Sequence, residues 1–157
     1  MTPTEVKTYM AAGRAVLTLE SKRTGGHYTY RIRQSKYRLS GLTVRGSFFV
    51  DLLTGPDNQD DYTYIGTLEN FPFAGLTFRT TSASIMGLGS KPIAGLNYLL
   101  AHLRHGRLPE DMIIRHEGRC GRCARVLTTP ESIQRGIGPE CWTKIGGSGL
   151  LCTTEGE

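Results

Sequence analysis

The chain has 157 residues, 38% of them hydrophobic, and carries 19 Lys and Arg against 14 Asp and Glu, a formal net charge of +5. That size and apolar content suit one domain of common size, or a core with a small metal-held appendage. No apolar run approaches the roughly 20 residues of a membrane-spanning helix, and no charged-then-apolar-then-small export pattern opens the chain, so a cytoplasmic protein is expected.

The charge is unevenly spread. Residues 1–50 hold nine Lys and Arg against two acids, residues 51–70 five acids and no base, and residues 71–109 four bases and no acid. Such asymmetry points to a basic surface on the first strands beside an acidic loop, although an ordinary solvated charged surface reads the same way.

Taken in order, Thr2-Pro3-Thr4-Glu5 has the form of a capping box with proline at the first helical position. A short helix should follow, bury Val6, Tyr9 and Met10, and stop at Gly13. Residues 15–20 alternate as a strand does, residues 22–26 form a turn, and residues 27–33 complete a hairpin. In that second strand Tyr28, Tyr30 and Ile32 share one face, expected to point inward, and Thr29, Arg31 and Arg33 share the other. Further strands are expected at 42–45 running toward 48–53, at 62–68 and at 76–80. Residues 55–61 read as a polar turn, because the spacing is wrong for a calcium loop and no glutamate closes it. Residues 90–105 form a helix with an apolar stripe of Ile93, Leu96, Leu99, Leu100 and Leu103. A last strand, 112–115, delivers the chain to His116. The expected class is α+β: an antiparallel sheet of five or six strands packed by one main helix, with a C-terminal zinc knuckle. The body is residues 1–111, the knuckle and a short helix 112–146, and a flexible tail 147–157.

The tail holds the most specific chemistry, in His116, Cys120, Cys123 and Cys141. Structural zinc takes four thiolate or imidazole ligands in a tetrahedron and leaves no position open. A Cys-x2-Cys turn aims two sulfurs into one small volume, and Gly121 between them is expected to take positive φ. Pro139 at a first helical position puts Cys141 in the first turn, where the helix dipole favours a thiolate. His116 is the expected fourth ligand. Cys152 is the alternative, placed behind it because frayed termini hold ligands poorly, and His102 and His105 come after both. Four free thiols without metal is the plainer alternative. A disulfide fits less well, because Cys120 and Cys123 are too close in sequence for an ordinary structural bridge.

The string His-Glu-Gly-Arg-Cys-Gly-Arg-Cys from His116, then Leu127 to Ile133, then Gly-Ile-Gly-Pro-Glu-Cys ending at Cys141, closely resembles the signature of a domain-of-unknown-function family. That family is widespread in bacteriophages, prophages and actinobacterial genomes. The segments around Ser21–Gly25, Leu53–Asn58 and Tyr62–Gly66 are also similar to phage versions. The resemblance implies the same zinc ligands, His116, Cys120, Cys123 and Cys141, and a protein of the host cytoplasm if phage-encoded. One departure is Ala124, where the resemblance implies glycine. The family carries no activity with it.

Three functional classes compete. A nucleic-acid-binding module would use Lys22, Arg23, Arg31, Arg33, Lys36, Arg38, Arg119 and Arg122, through charge and through stacking on exposed aromatics; inward-facing Tyr28 and Tyr30 would remove the stacking half. A protein-binding factor that engages or inhibits a host complex, for instance one of defence, would use the acidic 57–61 loop beside the basic face. An enzyme is the weakest reading, since no Walker loop, His-Glu-x-x-His, Gly-x-Ser-x-Gly or deaminase pattern is present. Gly87-Leu88-Gly89 lacks the third glycine and the strand of a dinucleotide site. The expected protein is therefore a small phage-type binding protein with structural Zn2+, nucleic acid ahead of host protein as partner, and no membrane.

Overall fold

The computed structural model describes residues 1–35, 47–71 and 74–145. Strands β1 (Arg14–Ser21), β2 (His27–Gln34), β3 (Ser47–Leu53), β4 (Tyr62–Phe71), β5 (Gly75–Arg79) and β6 (Met112–His116) form one sheet in the order β5-β4-β3-β2-β1-β6. Every pairing is antiparallel. The first five strands are a meander; the chain then passes through α2 (Lys91–Arg104) and lays β6 on the free edge of β1. Helix α1 (Pro3–Met10) precedes the sheet, and α3 (Pro130–Arg135) and α4 (Pro139–Lys144) follow it. The α+β expectation holds. The expected strand at 42–45, with Lys36, Arg38 and Arg45, lies outside the described residues.

Local signals account for most of these elements. Thr2 and Glu5 close the capping box reciprocally, with Thr2 N–H donating to the Glu5 carboxylate at 2.7 Å and Glu5 N–H donating to Thr2 Oγ1 at 3.2 Å. Alternation along β1 buries Ala15, Leu17 and Leu19, and β2 buries Tyr30 and Ile32, so the aromatic face does point inward. Helix α2 buries the apolar stripe expected of it, and the Tyr30 hydroxyl donates to the Pro92 carbonyl at 2.6 Å, tying that helix to the middle of the sheet. The acidic loop is a turn: Asp57 accepts from the N–H groups of Gln59 and Asp60, and Asp61 from that of Asp57.

Helix α3 is an addition to the expected elements, although its signals are present. Thr129 is its N-cap, Pro130 its first residue, and Gly136 ends it in the left-handed region at φ 73°.

Both long helices bury their apolar side chains with the inward residues of the strands in a single cluster. The opposite face of the sheet carries Thr18, Thr29, Arg31, Arg33, Phe49, Asp51, Tyr62 and Tyr64, of which Asp51 is buried, Arg33 exposed and the others half-buried. A register shift between Val50 and Asp51 sets Asp51 opposite Tyr64 while Ile65 is buried. The extra residue of this bulge keeps polar and aromatic side chains together on the open face.

Candidate metal centre

Pairing of β6 with β1 ends at Leu17–His116, and Gly118 then turns the chain at φ 79°. A bridge between Arg119 and Val126 closes the following loop, in which Cys120 N–H donates to Arg125 O at 2.8 Å and Leu127 N–H to Gly118 O at 2.9 Å. The left-handed residue inside that loop is Ala124, at φ 64°. Gly121, expected to take positive φ, does not; the geometry that favours glycine sits three residues later. The glycine that the resemblance implied at position 124 would occupy this conformation without strain, because it has no Cβ to crowd the following carbonyl. Ala124→Gly should therefore stabilise the knuckle by about 0.5–1 kcal/mol, read as a rise in its thermal midpoint with metal content unchanged.

Gly121 is required for another reason. A Cβ there would lie 2.7 Å from a ring carbon of Tyr9, and one at Gly136 would lie 2.5 Å from the same ring. Tyr9 is thus clasped between the knuckle and the end of α3. Its hydroxyl donates to Val16 O at 2.8 Å and accepts from Val16 N–H at 3.0 Å, satisfying the β1 edge just beyond the last β6 pair. Burial pushes the Tyr9 phenol well above its usual range, so it stays neutral in this role. Arg14 N–H donates to Gly121 O at 2.6 Å, and Gly121 N–H to Gly136 O at 2.8 Å. The knuckle is stitched to the first strand through its own glycine.

Helix α4 begins at Pro139 with Gly138 as its N-cap, which puts Cys141 in its first turn as expected. The Sγ atoms of Cys120, Cys123 and Cys141 all lie within 4.8 Å of one another. Three thiolates around one zinc at about 2.3 Å would stand about 3.8 Å apart, so the donor set fits a metal ion. Cys120 and Cys141 are buried and Cys123 half-buried. Cys120 Sγ accepts from Gly138 N–H at 3.4 Å and Arg122 N–H at 3.5 Å. Burial raises the Cys120 thiol, but the N–H groups of Gly138, Cys123 and Arg122 outweigh it and bring it down to about 7. Burial and the neighbouring sulfurs push Cys141 up. Backbone donors aimed at sulfur are what a bound thiolate needs, because they stabilise its charge without adding a competing ligand.

His116 is not part of this group. Pairing with Leu17 turns its ring to the inner face of the sheet, 5.4 Å from the Tyr9 ring. Its Nδ1 accepts from Gly118 N–H at 2.9 Å, so Nε2 carries the hydrogen and donates to Ile133 O at 2.5 Å. Both ring nitrogens are occupied, and the residue latches β6 to α3. The expected fourth ligand therefore stands outside the three-sulfur group, held by two backbone partners. His102 accompanies the Tyr98 carbonyl on α2, His105 caps that helix, and neither joins the sulfurs. Cys152 lies outside the described residues.

Among the described residues, the expected basic residues do not all share one surface. Lys22 and Arg23 sit at the β1–β2 turn, whereas Arg33 pairs with Arg14 at the far end of the same hairpin, roughly 20 Å away at about 3.3 Å per residue. Arg31 and Arg33 both bind the buried carboxylate of Asp51, at 3.0 and 2.6 Å. The same guanidinium groups lie 4.2 Å from the Tyr62 ring centroid and 5.1 Å from that of Phe49. Arg119 donates to the Ala124 carbonyl within the knuckle. Asp51, Phe49, Tyr62 and Tyr64 were not expected at a site. Alternation would have put Phe49 and Asp51 opposite Val50, but only the sheet order brings them against Arg31 and Arg33.

Together the fold and the site define an α+β domain whose antiparallel sheet is braced at one edge by a three-cysteine cluster able to hold a metal. Residues 114–146 match the model of a family described as one of unknown function (DUF6011). No curated protein and no solved structure matches the chain. No helix among the described residues is long and apolar enough to cross a membrane.

Proposed function

We propose that this chain is a small zinc-stabilised binding protein of phage type that takes single-stranded nucleic acid on the open face of its sheet. Zinc is the metal that suits a cluster of thiolates with backbone N–H donors in a loop and helix-start arrangement, and a structural role completes its four positions with His116 or Cys152.

The observation that carries the reading is the pairing of flat cations with aromatic rings on that face. Arg31 lies over Tyr62, Arg33 over Phe49, and Phe49 meets Tyr64 edge-on at 6.0 Å between ring centroids. Unpaired bases stack on aromatic rings and on guanidinium planes alike, and Asp51 fixes both guanidinium groups in place at little cost in mobility. The tyrosines that sequence offered for stacking, Tyr28 and Tyr30, are replaced in this reading by Phe49, Tyr62 and Tyr64.

Fluorescence anisotropy with labelled single-stranded DNA and RNA tests it. Binding should weaken as salt rises, and Tyr62→Ala should reduce affinity about tenfold, the scale of one lost stacking contact of about 1–3 kcal/mol. Absence of binding to any oligonucleotide at low salt would reject the reading. A protein partner is then the reading to pursue, favoured by the exposed Ile85, Leu88 and Val126, which are 69%, 60% and 62% accessible.

A further inference from the structure

The cysteine loop and the open face of the sheet meet along a groove of about 880 Å³. Four guanidinium groups line it: Arg14 at the start of β1, Arg31 and Arg33 on β2, and Arg122 between the first two cysteines. Glu117 is the one acid among its described lining residues. A smaller hollow shares Val16 and Glu117 with it and leads on to Tyr62.

Carboxylates cancel only part of the charge in this groove. Asp51 is a single carboxylate facing two guanidinium groups. Arg14 and Arg122 have no carboxylate within salt-bridge distance among the described residues. The Arg122 guanidinium donates to Cys141 Sγ at 4.0 Å. The sequence alone does not bring these residues together, since more than one hundred positions separate Arg14 from Arg122. The hydrogen bond from Arg14 N–H to Gly121 O does so, by fixing the residue before Arg122 against the first residue of β1.

We infer that this groove holds the sugar-phosphate backbone of the strand whose bases lie toward Tyr62, with Arg14 and Arg122 as phosphate contacts supplied from either side of the junction. The inference rests on the nucleic-acid reading above and adds that the cysteine loop is itself part of the binding surface. An unpaired strand fits because the aromatic positions beside the groove serve bases that are free to leave a stack, which a duplex does not offer.

The test measures the salt dependence of oligonucleotide binding by the metal-loaded full chain between about 50 and 200 mM salt, the range in which phosphate contacts dominate. Each phosphate contact to a single strand contributes about 0.7 to the slope of log affinity against log salt. The double variant Arg14→Gln/Arg122→Gln should lower the slope by about 1.4 and the low-salt affinity at least tenfold, while the double lysine variant keeps the slope. Metal content and melting temperature check that the glutamine variant is folded. If Arg122→Gln disturbs the cysteine loop, Arg14→Gln alone carries the test, with a slope change of about 0.7. An unchanged slope in a folded variant that still depends on Tyr62 overturns the groove and leaves the function standing. No binding by the unaltered protein overturns both, and tighter binding of duplex than of single strand overturns the choice of ligand.

Discussion

Cys120→Ser is expected to take the metal content of the purified protein from near one per chain to near zero, and to unfold the cysteine loop while the sheet survives. The sulfur of Cys120 is the best prepared of the three, buried and held by N–H groups from both Arg122 and Gly138. A serine hydroxyl stays protonated at neutral pH and is a poor ligand for a thiophilic metal. Structural zinc contributes about 10–16 kcal/mol to the folding of isolated fingers, so a loop of this size has little to replace it. The body has its own core: Cys120, Leu127, Ile137 and Cys141 are the knuckle's share of the buried cluster, and the remaining members belong to the helices and strands before it. Limited proteolysis should therefore cut between residues 117 and 145 in the variant, with the sheet signal in circular dichroism retained. His116→Ala is the contrasting case. It should keep the metal and lose about 1–3 kcal/mol, because the partners it leaves are the Gly118 N–H and the Ile133 carbonyl. Loss of metal in His116→Ala would place that residue in the ligand set.

Gly136→Ala should lower the melting temperature by about 5–15 °C, corresponding to about 2–5 kcal/mol in a domain of this size. Two penalties add. The backbone at φ 73° disfavours any side chain by about 1–2 kcal/mol. The new methyl would also stand 2.5 Å from the Tyr9 ring, and overpacking of this kind costs about 1–3 kcal/mol. Tyr9 has nowhere to go, since its hydroxyl is held by both backbone groups of Val16 and its ring faces His116. Removing the ring isolates the second penalty: in a Tyr9→Leu background the same glycine change should cost only the backbone part. Strict additivity of the two substitutions would show that the clasp is not what makes position 136 a glycine.

What could be read from the chain was local. Proline and threonine at helix starts, alternation along β1 and β2, the stripe of α2 and the spacing of the cysteines are each decided within a few residues, so α1, α2, α4 and the three sulfurs stand where their own sequence puts them. Even α3 was written in Thr129, Pro130 and Gly136. His116 is different. Four residues before Cys120, it looks available to the metal, but its orientation follows from the pairing of β6 with β1, which turns it toward Tyr9 and α3. Gly121 differs too, because the demand on it comes from a ring in the first helix, and Ala124 takes the strained turn instead.

The open face shows the same division. Alternation alone marks Arg31 and Arg33 as outward, and composition counts them as free positive charge. Strand order then sets Asp51 of β3 between them and brings Phe49 and Tyr62 beneath their planes. Short-range chemistry thus determined the elements and the three cysteines that could hold a metal, because caps, turns and chelate spacing act over a few bonds. Which charges are cancelled, which histidine is a latch and where the basic groove runs were decided only by the tertiary structure, because they depend on residues that the sheet and the Tyr9 clasp bring together across most of the chain.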